Sequence, residues 1–162
     1  MKKLLFVLLL ALLPACELIE DEIEIGNIYD YDFPGSEGIP KFETIEDAQC
    51  YMQDNFEYEY DIDQFGQADY WQTPEEFYYN GKGDCEDYVI FLGYVLHFIM
   101  GYEDVNLIVT DDHVILYCDN KYLSGQCRMS YKPEDIEIVY EIHYSEALWM
   151  TINYHDNVGK YR

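Results

Sequence analysis

From Cys85 onward, Tyr88, Val89, Leu92, Val95, Leu96 and Ile99 recur at helical spacing on one broad face, and Gly101 supplies a natural stop. No other feature limits the fold as strongly, because a helix with so wide an apolar face must be covered by other elements. The chain after it is β-rich: residues 105–110 and 113–118 are apolar runs, and Asp119-Asn120 is a two-residue hairpin turn into 121–124. Further on, Ile136, Ile138, Tyr140 and Ile142 alternate with Glu137, Val139, Glu141 and His143, which predicts another strand. Helices precede the long one. Ile45, Ala48, Met52 and Phe56 predict a helix over 45–57, with Thr44 and Asp47 as its cap. Thr73-Pro74-Glu75-Glu76 combines a capping hydroxyl, a proline at the first helical position and acids against the positive dipole end. That helix is short, because Asn80-Gly81-Lys82-Gly83 interrupts it, and 61–72 before it reads as a loop around Gly66. Helices first and an antiparallel sheet after make an α+β plan.

Lys+Arg total 9 and Asp+Glu 33, so the formal charge is 9 − 33 = −24. This balance excludes nucleic acid as a partner, since such binding rests on basic side chains neutralising phosphates. It also disfavours a polybasic dock on an anionic membrane. A membrane is approached in another way. Residues 1–15 carry Lys2 and Lys3 followed by an apolar run too short to span a bilayer, the layout of a secretory signal peptide. Leu13-Pro14-Ala15-Cys16 then resembles a bacterial lipobox, whose cysteine is lipidated and becomes the new N-terminus. Cleavage there leaves 162 − 15 = 147 residues with charge 7 − 33 = −26. The expectation is an extracytoplasmic domain, on the periplasmic side or the cell surface, anchored by acyl chains on Cys16. Residues 16–40, rich in acids, glycine and proline, read as a solvated tether, and 41–162 as the domain. Apart from Cys16, the cysteines are 50, 85, 118 and 127, and Cys118 with Cys127, flanking a turn, form a conceivable disulfide.

Gly83-Asp84-Cys85-Glu86-Asp87 sets a cysteine in the first turn of the long helix, after a glycine-rich loop. Free backbone N–H groups and the dipole there favour the thiolate, the reactive form. The plainer account is that Cys85 packs as a small apolar residue, but packing needs neither the loop nor the helix start. A cysteine nucleophile takes a histidine base brought near by the fold. His97 lies twelve residues down the same helix, about 18 Å away at 1.5 Å per residue. His143 and His155 come late and suit surface positions. His113 opens the strand that would cross the cysteine helix, and is the candidate base.

Asp69-Tyr70-Trp71-Gln72-Thr73-Pro74-Glu75-Glu76, Gly81-Lys82-Gly83-Asp84-Cys85-Glu86-Asp87-Tyr88 and His113-Val114-Ile115-Leu116 together resemble the bacterial transglutaminase-like cysteine proteinases, over roughly residues 44–124. The resemblance implies a papain-like core and hydrolysis of a protein or peptide amide. Cys85 would attack the carbonyl, His113 would carry the proton, and a backbone N–H at the cysteine helix would hold the oxyanion. Trp71 would wall the site and assist the oxyanion, unless it is simply a core aromatic.

The pattern departs at the residue that orients the histidine. A turn at Asp119-Asn120 pairs 115 with 124 and 113 with 126, so Ser124 and Gln126 share a face with His113 where relatives place an acid. Asp119 has the right parity but lies about 20 Å along the strand at 3.3 Å per residue. Ser124 and Gln126 are therefore the candidate orienters, and a neutral orienter stabilises imidazolium less than an acid. Asp84, Glu86 and Asp87 beside the thiol oppose its ionisation. A bound Ca²⁺ would remove the conflict, and the resemblance implies that these three hold it. As plain helix-start acids they need no metal. A rival function follows from the missing acid: an inactive module on the same fold, binding a peptide or glycan partner through some of the 18 tyrosines.

Overall fold

The computed structural model describes residues 31–111 and 113–153, the last of these by its backbone alone. The segment 1–15, Cys16, the tether as far as residue 30, and His155 lie outside the described residues. The fold is mixed α and β, with five helices and an antiparallel five-stranded sheet.

Local chemistry sets most boundaries. Thr44 Oγ1 accepts the Asp47 N–H at 3.1 Å and starts α1 (Ile45–Asn55). Strand β1 (Glu57–Tyr58) pairs in parallel with β2 (Lys82–Gly83), and between them α2 (Asp61–Gln64) forms one turn inside the stretch expected to be loop. Helix α3 (Pro74–Asn80) begins with reciprocal capping: Thr73 Oγ1 accepts from Glu76 N at 3.2 Å, and Glu76 Oε2 accepts from Thr73 N at 2.8 Å. Gly81, at φ 72°, ends it. Helix α4 (Cys85–Tyr94) passes into a π-helical turn over Val95–Ile99, beyond which Gly101 turns the chain at φ 80°.

The strands β3 (Val105–Val109), β4 (Val114–Cys118), β5 (Lys121–Leu123), β6 (Ser130–Tyr131) and β7 (Tyr140–His143) lie in the order β6-β5-β4-β3-β7. Asp119 and Asn120 have φ of 51° and 59°, the left-handed pair that a tight hairpin needs, and Cys118 pairs with Lys121 as the turn predicts. Val105, Leu107 and Val109 share one face with Val114, Leu116 and Cys118, and this face joins α4 in the core. Helix α5 (Tyr144–Asn153) packs on the same side; its Tyr144 ring comes so near that a Cβ on Gly93 would stand 2.3 Å from it. On the opposite face lie His113, Ile115 and Tyr117. Because β6 and β7 are at opposite edges, residues 132–139 cross that face between them.

Three expectations are corrected, and one helix is added to them. The alternating segment from Ile136 forms ladder only at Tyr140–His143, because β3 ends at Val109 and offers no partner further back. Helix α5 was not anticipated, although Tyr144, Ala147, Leu148 and Thr151, all buried, repeat at helical spacing. Residues 33–39 are not solvated tether, for Phe33 and Ile39 are core residues and the Phe33 ring lies 5.2 Å from that of Tyr94. The disulfide joins Cys50 to Cys127, while Cys118 is a free thiol sealed under α4. Its cause is the path after β5: Gln49 Nε2 on α1 donates to Ser124 O at 2.6 Å and Met129 O at 3.0 Å, which draws that loop onto α1.

Candidate active site

Strand β2 delivers the chain to the start of α4 along a tight route. A Cβ at Gly83 would lie 2.3 Å from Asp87 Oδ2 and 2.7 Å from Gln72 Nε2, so only glycine fits. Beneath it, Asp87 is held from several sides: Oδ1 accepts from Gln72 N at 2.8 Å, and Oδ2 from Gln72 Nε2 at 2.6 Å and Asp84 N at 3.2 Å. This locks β2, the 69–73 segment and the first turn of α4 into one unit. Burial nevertheless pushes the Asp87 carboxyl up to about 8, against the pull of the Gln72 hydrogen bonds.

Cys85 is half-buried at the first position of α4. Its thiol donates to Glu86 Oε2 at 2.9 Å. Burial and the carboxyls of Glu86 and Asp84 raise the thiol well above its ordinary range, so the sulfur is protonated. Glu86 is itself buried, and desolvation together with Asp84 pushes its carboxyl up to about 10. The expected benefit of the helix dipole is therefore overridden by acids and desolvation.

Helix α4 packs against β4, the strand entered through His113. The His113 ring, however, lines a cavity of about 630 Å³ on the other face of the sheet, with Ile115, Tyr131 and Ile136. The His113 and Tyr131 ring centroids are 6.1 Å apart. Ser124 is buried, and its hydroxyl accepts from Gln126 N at 3.1 Å, closing a turn beyond β5, while Gln126 is exposed. The ladder between β4 and β5 ends at Leu116 and Leu123, so the pairing expected to carry Ser124 and Gln126 to His113 is not formed. His97 and His143 are engaged elsewhere, with Tyr102 O at 2.8 Å and with Ser145 Oγ at 2.7 Å respectively. Trp71 is buried in the core, and its indole N–H donates to Asp69 Oδ1 at 3.0 Å.

Asp84 lies in one cluster with Glu86 and in another with Asp87, so the three do not form a single set, and two acids that sequence reasoning missed join them. Asp61, Asp69 and Glu86 bring ligand atoms within 4.8 Å of one another, as do Asp61, Asp84 and Asp87. Asp61 is the buried one of two acids in the first turn of α2 and accepts from Tyr70 N, which holds the 69–71 segment against the cluster. Asp84 Oδ1 is buried with no hydrogen-bond partner. An all-oxygen set with an orphaned oxygen fits a hard cation such as Ca²⁺. The hint in the sequence was only that 61–69 holds three aspartates, Asp61, Asp63 and Asp69; which of them turn inward depends on α2.

Compared with known proteins, the chain matches no family model and no curated sequence.

Proposed function

We propose that this protein is a lipid-anchored extracytoplasmic hydrolase with a transglutaminase-like, papain-like core that cleaves protein or peptide amides through Cys85. The observation that carries this is the packing of β4, the strand entered through His113, against α4, whose first residue is Cys85. In the reaction the thiol proton passes to the His113 imidazole as sulfur bonds to the amide carbonyl carbon. The C–N bond then breaks and His113 returns the proton to the departing amine. Water, giving a proton to His113, hydrolyses the thioester and restores the thiol. Backbone N–H groups at the α4 start serve the oxyanion, since the Trp71 N–H is committed to Asp69. Catalysis requires His113, the last residue before the β4 ladder, to turn its ring from the cavity to the sulfur.

A calcium ion would be held by Asp61 with Asp84 and Asp87, or by Asp61 with Asp69 and Glu86. Such an ion supplies positive charge beside the thiol when bound. The Cys50–Cys127 disulfide supports an oxidising, extracytoplasmic location. Anchoring would come from acyl chains on Cys16; no helix of the described residues is long and apolar enough to cross a membrane.

A non-catalytic binding module on the same fold is the second reading, favoured by the orientation of the His113 ring and the turning of Ser124 toward Gln126. Alkylation by iodoacetamide, mapped by mass spectrometry across pH 6 to 9 with and without CaCl₂, separates the two. A hydrolase predicts that Cys85 reacts far faster than the sealed Cys118, and that His113→Ala slows it. Equal slow labelling of both thiols, unchanged in His113→Ala, favours the binding module.

A further inference from the structure

Beside Cys85 the surface carries apolar groups that the chemistry above does not use. Tyr58 is 52% exposed, Tyr60 60% and Ile62 58%, and the two tyrosine rings stand 5.4 Å apart at 89°. Their position is fixed by backbone: Tyr58 pairs with Gly83, two residues before Cys85, and Glu59 N donates to Gly83 O at 3.0 Å. The Tyr58 phenol is close enough to Asp84 to feel its charge. Lys82, the base in this stretch, is spent on Glu59 at 2.5 Å. The corner made by the rings is thus aromatic, solvent-facing and set in a negative field, on a chain of formal charge −24.

Resting on Cys85 as the reacting centre, we propose that Tyr58 and Tyr60 form a subsite for a lysine or arginine side chain of the peptide substrate, next to the amide under attack. A cation is drawn to an aromatic face, and the methylene stem of a basic side chain packs against a second ring. Rings at right angles provide both surfaces, whereas a sugar would need a flat platform. Asp84 at the helix start and the formal charge of −24 complement the same charge.

Binding measured on full-length Cys85→Ala protein keeps the test independent of turnover. The probes are blocked, fluorescently tagged Ala-Ala-Arg-Ala-Ala and its citrulline and glutamate counterparts, followed by anisotropy in low salt. The arginine peptide is expected to bind at least fivefold more tightly than the citrulline one and to weaken in 300 mM NaCl. Tyr60→Ala and Tyr58→Ala should each reduce this preference, and the pair should abolish it, while Tyr58→Phe retains it. Urea midpoints of the variants report whether they fold; Tyr60→Ala, at an exposed site, carries the test if Tyr58→Ala does not. Equal binding of the three peptides overturns the proposal, as does a preference that survives removal of Tyr60 and Tyr58. So does chito-oligosaccharide binding that depends on the two tyrosines in place of the arginine preference. If Cys85 proves unreactive but the preference holds, the subsite stands and the hydrolase fails.

Discussion

Stability should fall as pH rises from 5 to 8, opposite to a protein whose carboxylates are salt-bridged. In the unfolded chain Glu86 ionises near the ordinary value of about 4.3, while in the fold its carboxyl keeps the proton up to about 10. The folded state therefore binds more protons than the unfolded state between these values. The stabilisation is fully present below about pH 4 and is lost as pH climbs through the folded value. Each such group lowers stability by about 1.4 kcal/mol per pH unit. Asp87, raised to about 8, adds the same slope over the lower part of the window. From pH 5 to 7 the two together remove about 5 kcal/mol, on the scale of a whole domain's stability. Urea denaturation followed by far-UV circular dichroism at pH 5, 6, 7 and 8, in EDTA, measures this directly. Glu86→Gln keeps an acceptor for the Cys85 thiol and has no proton to lose, so it should roughly halve the slope. At pH 7 it should be more stable than the natural protein by about 3–4 kcal/mol. A midpoint that is flat or rises from pH 5 to 8, or a Glu86→Gln variant that is less stable at pH 7, would refute the account of the buried acids.

Calcium should oppose that loss: at pH 7, saturating CaCl₂ raises the urea midpoint, by about 2.7 kcal/mol at a hundredfold excess over Kd. Calorimetric heats should then vary with the buffer's ionisation enthalpy because protons are released, and Asp84→Asn should weaken both effects. Gly83→Ala forces a Cβ into Asp87 and Gln72 and should cost about 1–3 kcal/mol, read as a lower thermal midpoint. Cys50→Ser opens a loop with a sequence separation of 77, and in the chain-entropy description should cost about 4.5 kcal/mol. A non-reducing peptide map showing Cys118 joined to Cys127 would contradict the pairing.

The sequence by itself determined the elements whose signals are local. The helix starts at Thr44 and Thr73 were legible because a hydroxyl or carboxylate has to satisfy orphan N–H groups within three residues. The Asp119-Asn120 turn was legible because a tight hairpin needs left-handed backbone, which Asp and Asn tolerate. The α+β plan follows from those signals. Tertiary structure decided what depends on which side of an element faces which neighbour. Sequence reading chose His113 as the partner of Cys85 but could not give the direction of its ring, since side chains alternate across a strand and the core took Val114. Likewise it foresaw acids beside the thiol but not the arrival of Asp61 and Asp69, or the protonated sulfur that desolvation produces. The disulfide depended on a loop folding back to α1, a long-range event that cysteine spacing does not encode. Local hydrogen bonding is written within a few residues; burial and its electrostatic consequences exist only once distant segments have packed.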